Sequence, residues 1–137
     1  MGLYFGLFNE KDPRETPSRE GQLQSANDKS LLEKAIREKI SDLQVMVAGR
    51  VIRVLPDDRQ GSRHQRFIIR ISSGETLLVA HNIDLAPRVK GIAVNDEVEI
   101  FGEYEWNEKG GVIHWTHEDP QGRHPDGWVQ HKGQRYQ

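Results

Sequence analysis

Residues 97–106, Glu-Val-Glu-Ile-Phe-Gly-Glu-Tyr-Glu-Trp, alternate strictly, with Val98, Ile100, Gly102, Tyr104 and Trp106 on one side and Glu97, Glu99, Phe101, Glu103 and Glu105 on the other. A repeat of two is the side-chain period of a strand, and wound into a helix it would scatter the glutamates around the whole circumference. The segment is therefore predicted as a strand with one face in a core and the other, acidic, facing outward.

The same period recurs upstream. Gln44 to Pro56 carries Val45, Val47 and Val51 in a β-branched run closed by Asp57-Asp58, and is read as the first strand. Arg66 to Ile71 sets Phe67, Ile69 and Ile71 against Arg66, Ile68 and Arg70, and Ser72-Ser73-Gly74 turns it into a third strand, Thr76 to His81. Residues 82–94 leave room for a helical turn before the acidic strand. Asn107-Glu108-Lys109-Gly110-Gly111 then reads as a hairpin turn into a fifth strand, Val112 to His117. The tail from Gln121 either wraps the domain or adds a sixth strand, with Trp128 and Tyr136 as anchors.

Ahead of the strands, Ser30 and Glu33 form a capping-box pattern, and Leu32, Ala35, Ile36, Ile40 and Leu43 recur at helical spacing. One amphipathic helix over 28–43 follows. Residues 9–29 are charged and rich in Ser, Pro and Gly, so 1–29 is expected to be a flexible segment and 30–137 the folded domain. The apolar start, Met1 to Phe8, is too short to span a bilayer and lacks the basic leader and cleavage pattern of a secretory signal. The cytoplasm is the default expectation, with the periplasm as the alternative.

Five strands, with glycines inside the first and fourth to allow sharp coiling, fit a mainly β fold, a small five-stranded OB-like Greek-key barrel with an N-terminal amphipathic helix. A flat sheet covered by the helix is the alternative. At 137 residues there is room for one core. A net charge of -2 denies the chain a global basic field, so any attraction to nucleic acid must be local. The absence of cysteine removes disulfides, thiolate metal sites and thiol nucleophiles.

The motifs Arg53-Val54-Leu55-Pro56-Asp57-Asp58, Gly61 to Phe67, Ala80-His81-Asn82-Ile83-Asp84-Leu85-Ala86-Pro87-Arg88, Gly102 to Asn107 and Gly111 to His117 resemble a family of short bacterial proteins known only as a domain of unknown function. The resemblance covers about residues 44–137. It implies a bacterial source and an OB-like barrel, and brings no activity with it. Other members often begin with an export signal; the first residues of this chain depart from that pattern, which leaves the expected compartment open between cytoplasm and periplasm.

All six histidines lie at or beyond position 64. In OB barrels the loop between strands one and two, the faces of strands two and three and the loop between strands four and five form the binding cleft. Arg63, His64, Arg66, His81, Asn82, Trp106 and Trp115 are the residues expected there. Guanidinium groups beside aromatic rings suit single-stranded nucleic acid or another anionic oligomer. The structural alternative is that these arginines pair with nearby acids and both tryptophans are core.

His114, His117, Asp119 and His124 form a second candidate, a divalent metal site able to support a hydrolase or nuclease. Residues three apart on a strand point to opposite faces, so His114 and His117 converge only if the chain bends between them. Acid–base chemistry using His64 or His81 with Glu103 or Asp84 is a third. No phosphate loop, dinucleotide fingerprint or nucleophile elbow is present. No cofactor beyond a divalent metal is expected, and a homodimer seam or protein partner would use the helix or the acidic strand face.

Overall fold

The structure, a computed structural model, describes residues 19–137. Over the described residues it is mainly β, with a single helix, α1 (Arg19–Glu38), followed by β1 (Leu43–Asp58), β2 (His64–Arg70), β3 (Thr76–Asn82), β4 (Glu97–Glu105), β5 (Val112–His114), β6 (Trp128–His131) and β7 (Gln134–Tyr136). The expected segment 1–29 falls largely outside the described residues.

β1 is long enough to serve two neighbours. Its first half, Leu43 to Arg50, pairs antiparallel with β4, and from Arg50 onward it pairs with β2. Register shifts at Val51/Arg53 and Leu55/Asp58 let it bend between the two. β2 pairs with β3, β3 runs parallel to β5, and β5 returns to β4, so five strands close into a ring in the order β1-β2-β3-β5-β4. Alternate residues then fill the inside: Val45, Val47 and Val51, Phe67 and Ile69, Leu77 and Val79, Val98, Ile100 and Tyr104, and Ile113 are all buried. The two-residue period of the sequence is this inside–outside alternation.

Gly102 marks the tightest passage. A side chain there would press on the His114 carbonyl oxygen, at 2.5 Å, and on Ile113, so the hydrogen sets how closely β4 can cross beneath β5. The tail becomes a hairpin, β6 and β7, laid on the free edge of β4 with Ile100 opposite Val129 and Phe101 opposite Trp128. The sixth-strand expectation is met and a seventh added.

The helix starts nine residues earlier than its sequence pattern indicates and ends five earlier. Ser30 and Glu33 therefore sit mid-helix rather than at its start. The polar residues upstream are tied down by Asp28, which accepts a hydrogen bond from Met46 N at 2.8 Å and another from the Gln24 side chain at 2.9 Å. Met46 lies on the stretch of β1 that β2 does not reach, so the helix closes that edge through a side chain that periodicity alone reads as solvent-facing. The C-terminal end stops where Lys39 and Asp42 adopt positive φ, 61° and 62°. Leu32 and Ala35 are buried as expected, whereas Ile40 is exposed and Leu43 belongs to β1.

β5 is also shorter than predicted. Trp115 takes φ 57°, a left-handed conformation that a continuing strand excludes. The expected turn within 82–94 is present as a single turn in which the Asn82 side chain accepts from Asp84 N and Leu85 N. No helix of the described residues is long and apolar enough to cross a membrane.

Candidate functional site

The outward faces of β2, β3 and β5 form a groove of about 310 Å³ lined by Asp58, His64, Arg66, Leu78, Ala80, Glu105, Val112 and His114. The parity of each strand builds it. Inward-facing Gln65 and Phe67 leave His64 and Arg66 outside, Leu77 and Val79 leave Leu78 and Ala80, and Ile113 leaves Val112 and His114. The floor is thus aliphatic, with a basic margin on β2 and an acidic one on β4. His64 points its Nδ1 at the Ser62 carbonyl, 3.0 Å away. Arg66 donates from Nε to the Pro56 carbonyl at 3.0 Å.

At the acidic margin, Glu103 stands directly opposite His114 across the β4–β5 pair. His114 Nε2 lies 3.7 Å from Glu103 Oε2 and 3.7 Å from Glu105 Oε1. That nitrogen is shielded from solvent and has no hydrogen-bond partner. The other oxygen of Glu103 receives a hydrogen bond from His124 Nε2 at 2.7 Å, while His124 Nδ1 faces the Pro125 carbonyl at 2.9 Å. Acceptors at both nitrogens favour the protonated ring. Burial opposes the charge, but the Glu103 and Pro125 acceptors with Asp119 outweigh it and raise its pKa. Glu105 is held above the ordinary carboxyl range by burial and by the neighbouring Asp42.

The other expected site residues have structural contacts. His81 is fully buried; its Nε2–H donates to the Pro87 carbonyl at 2.8 Å and its Nδ1 accepts from the Thr116 hydroxyl at 2.7 Å. Burial lowers its pKa. Asn82 caps the turn that follows it. Arg63 binds Asp84 through both Nε, at 2.9 Å, and its backbone N–H, at 2.8 Å, and this holds the Asp84 carboxyl below its usual range.

Trp106 packs against the core with the Lys39 ammonium over its ring, 5.1 Å from the centroid. The Trp115 ring stacks with His124 at 4.0 Å and His117 at 5.1 Å. His117 is buried and donates to the Glu118 carbonyl, at 2.7 Å. Asp119 organises its loop by accepting from the N–H groups of Gln121, Arg123 and His124.

Of the predicted binding residues, then, His64 and Arg66 share the groove; His81 and Asn82 lie inside, Arg63 lies in an ion-paired loop, and the two tryptophans are engaged elsewhere. Of the predicted metal ligands, His114 has two carboxylates beside it, His124 supports one of those carboxylates, and His117 and Asp119 stand apart. Glu103 and Glu105 were not grouped with His114 by spacing along the chain. Their signal lies in the turn: a hairpin centred between Glu108 and Lys109 pairs position 103 with 114 and 105 with 112.

The His81 geometry has a measurable consequence. Burial in the folded protein disfavours the charged ring, whereas in the unfolded chain it takes up a proton near the ordinary value of about 6.5. The unfolded state thus binds the extra proton, and this contribution to stability, complete above that pH, is lost as pH falls through it. His81→Leu should cost about 2–4 kcal/mol by leaving Thr116 and Pro87 unpaired and should flatten the pH dependence of urea unfolding between about pH 7 and 5. An unchanged slope would remove His81 as its source.

A search of curated proteins finds no match. A family model described as a protein of unknown function, DUF3465, matches residues 18–137. With the match running from the helix through the last strand, the chain belongs to the DUF3465 family of proteins of unknown function.

Proposed function

We propose that the domain is an OB-like binding module whose outward β2–β3–β5 face accepts an extended anionic oligomer. The ring order β1-β2-β3-β5-β4, with a bent first strand shared between both halves and β3 parallel to β5, supports the OB comparison. The observation that carries the functional reading is the groove itself: it lies on the strands that such barrels use for ligands, next to the loop between β1 and β2. Its aliphatic floor excludes water beneath the ligand, and cations on β1, β2 and their connecting loop meet the negative groups.

Among the described residues Arg53, Arg59 and Arg66 have no ion-pair partner, whereas Arg63 and Arg88 are matched to Asp84 and Asp57. Since both tryptophans are already engaged, recognition depends on charge and shape more than on base stacking.

Single-stranded DNA is the first probe. For about three phosphate contacts, log K should fall with log salt at a slope near -2, or roughly twentyfold between about 50 and 200 mM. Fluorescence anisotropy of a labelled oligonucleotide measures this, and Arg66→Ala should weaken binding at low salt. Absence of binding at the lowest salt would reject nucleic acid as the oligomer.

A further inference from the structure

We propose that Glu103, Glu105 and His114 form a site for one divalent ion of the zinc class, at the acidic margin of the groove. This goes beyond the oligomer reading and stands whether or not the face binds DNA.

The donor atoms come from two adjacent strands, so their positions are fixed by sheet hydrogen bonds. Glu103 and Glu105 project two residues apart from one side of β4, and His114 faces Glu103 from β5. One atom from each residue falls within 4.8 Å of the others. The two 3.7 Å gaps are too long for hydrogen bonds, which close to about 3 Å. They are close to the separation of about 3.4 Å that ligands roughly 2.0–2.1 Å from a shared tetrahedral ion would have.

A second, independent observation is the state of the His114 nitrogen. Nε2 is closed off from water and makes no hydrogen bond, although the His114 side chain as a whole is 34% exposed, and leaving a ring nitrogen so is expensive. A metal ion would supply the missing partner, because a neutral imidazole offers it a lone pair. The imidazole selects transition ions over magnesium and calcium, which prefer all-oxygen shells.

The surroundings position the ligands. His124 holds the far oxygen of Glu103 at 2.7 Å, fixing that carboxylate so that its other oxygen faces His114, as outer-shell partners do in metal sites. Glu105 is 42% exposed on its side chain, which leaves a route in from solvent. Three protein donors leave a zinc-class ion an open position.

The test uses the full chain without a histidine tag, stripped with chelator and titrated with zinc chloride by calorimetry. Binding of one ion per chain is expected, with a rise in Tm, and cobalt substitution should give a visible spectrum of nitrogen–oxygen coordination. His114→Ala and Glu105→Gln should each weaken zinc binding by ~10-fold or more, as loss of even an outer-shell partner costs about 10–100-fold. Glu99→Gln, on the same strand but outside the cluster, should leave binding unchanged. If His114→Ala misfolds by circular dichroism, His114→Gln and Glu105→Gln decide the matter.

No heat and no change in Tm from folded protein would overturn the site. So would an equal loss in Glu99→Gln and Glu105→Gln, the mark of a diffuse acidic surface, or unaltered affinity in the His114 variants.

Discussion

A chain ending at Asp126 should fail to fold. The shortening removes Trp128, Val129, His131 and Tyr136, all buried, and bares the edge of β4 from Val98 to Phe101. The three apolar side chains contribute about 1.5–3 kcal/mol each through burial, which together rivals the entire stability of an ordinary domain, about 5–15 kcal/mol. The loss extends to Asp96, whose carboxyl is kept below its usual range chiefly by the hydrogen bond from His131, at 2.7 Å. Urea unfolding followed by circular dichroism should show no cooperative transition in the shortened protein. Val129→Ala alone, costing roughly 2 kcal/mol, should keep the transition at a lower midpoint. A shortened chain that melts like the full one would mean that β6 and β7 are an appendage rather than a wall of the core.

Gly111→Ala should be the most damaging single substitution among the glycines of the β4–β5 turn. Gly111 has φ 111°, a conformation that alanine adopts only under strain, and its missing Cβ would stand inside the ring of Tyr104. Tyr104 cannot retreat: it is fully buried, and its hydroxyl donates to the Gly110 carbonyl at 2.7 Å. Burial, with the charge of Glu75, pushes its pKa up to about 12, so the phenol remains a donor at any physiological pH.

Backbone strain of about 1–3 kcal/mol and overpacking of about 1–3 kcal/mol add to roughly 2–6 kcal/mol. Gly61→Ala separates the two contributions, because φ is 71° there but nothing lies within 4 Å of the added methyl. It should show the strain alone. Equal losses at Gly61 and Gly111, measured by urea unfolding, would mean that Tyr104 can make room.

The legible parts of the fold are those in which side-chain parity is the whole signal. Val98, Ile100 and Tyr104 turn inward as their alternation requires, and the Phe67-Ile69 and Leu77-Val79 pairs do the same for the β2–β3 hairpin. What sequence reading missed has other causes. The helix runs back to Arg19, past Asp28, whose carboxylate satisfies a backbone N–H on β1, a long-range bond that leaves no periodic trace. β5 ends at His114 because Trp115 enters the left-handed region, and a tryptophan carries no turn signature comparable to glycine's.

The candidate site divides in the same way. Arg66 faces outward, as its opposition to Phe67 requires. His81 was expected in the cleft, yet it shares parity with Leu77 and Val79, and that alternation already directs it inward. Histidine content drew attention to His117 and Asp119, which are neighbours of His114 along the chain. In an antiparallel pair the partners that matter lie across the sheet, and those of His114 are glutamates. Their grouping follows only once the register of the hairpin is known.

The central claim is that one outward face gathers the chemically active side chains while the interior histidines serve as scaffold. Its most direct test is a titration of 15N-labelled protein with a single-stranded thymidine oligonucleotide at low salt, followed by amide chemical shifts. Changes should concentrate on His64, Arg66, Leu78, Ala80, Val112 and His114 and leave the amides of His81 and His131 in place. Shifts clustered away from β2, β3 and β5, or no shifts at all, would contradict the claim.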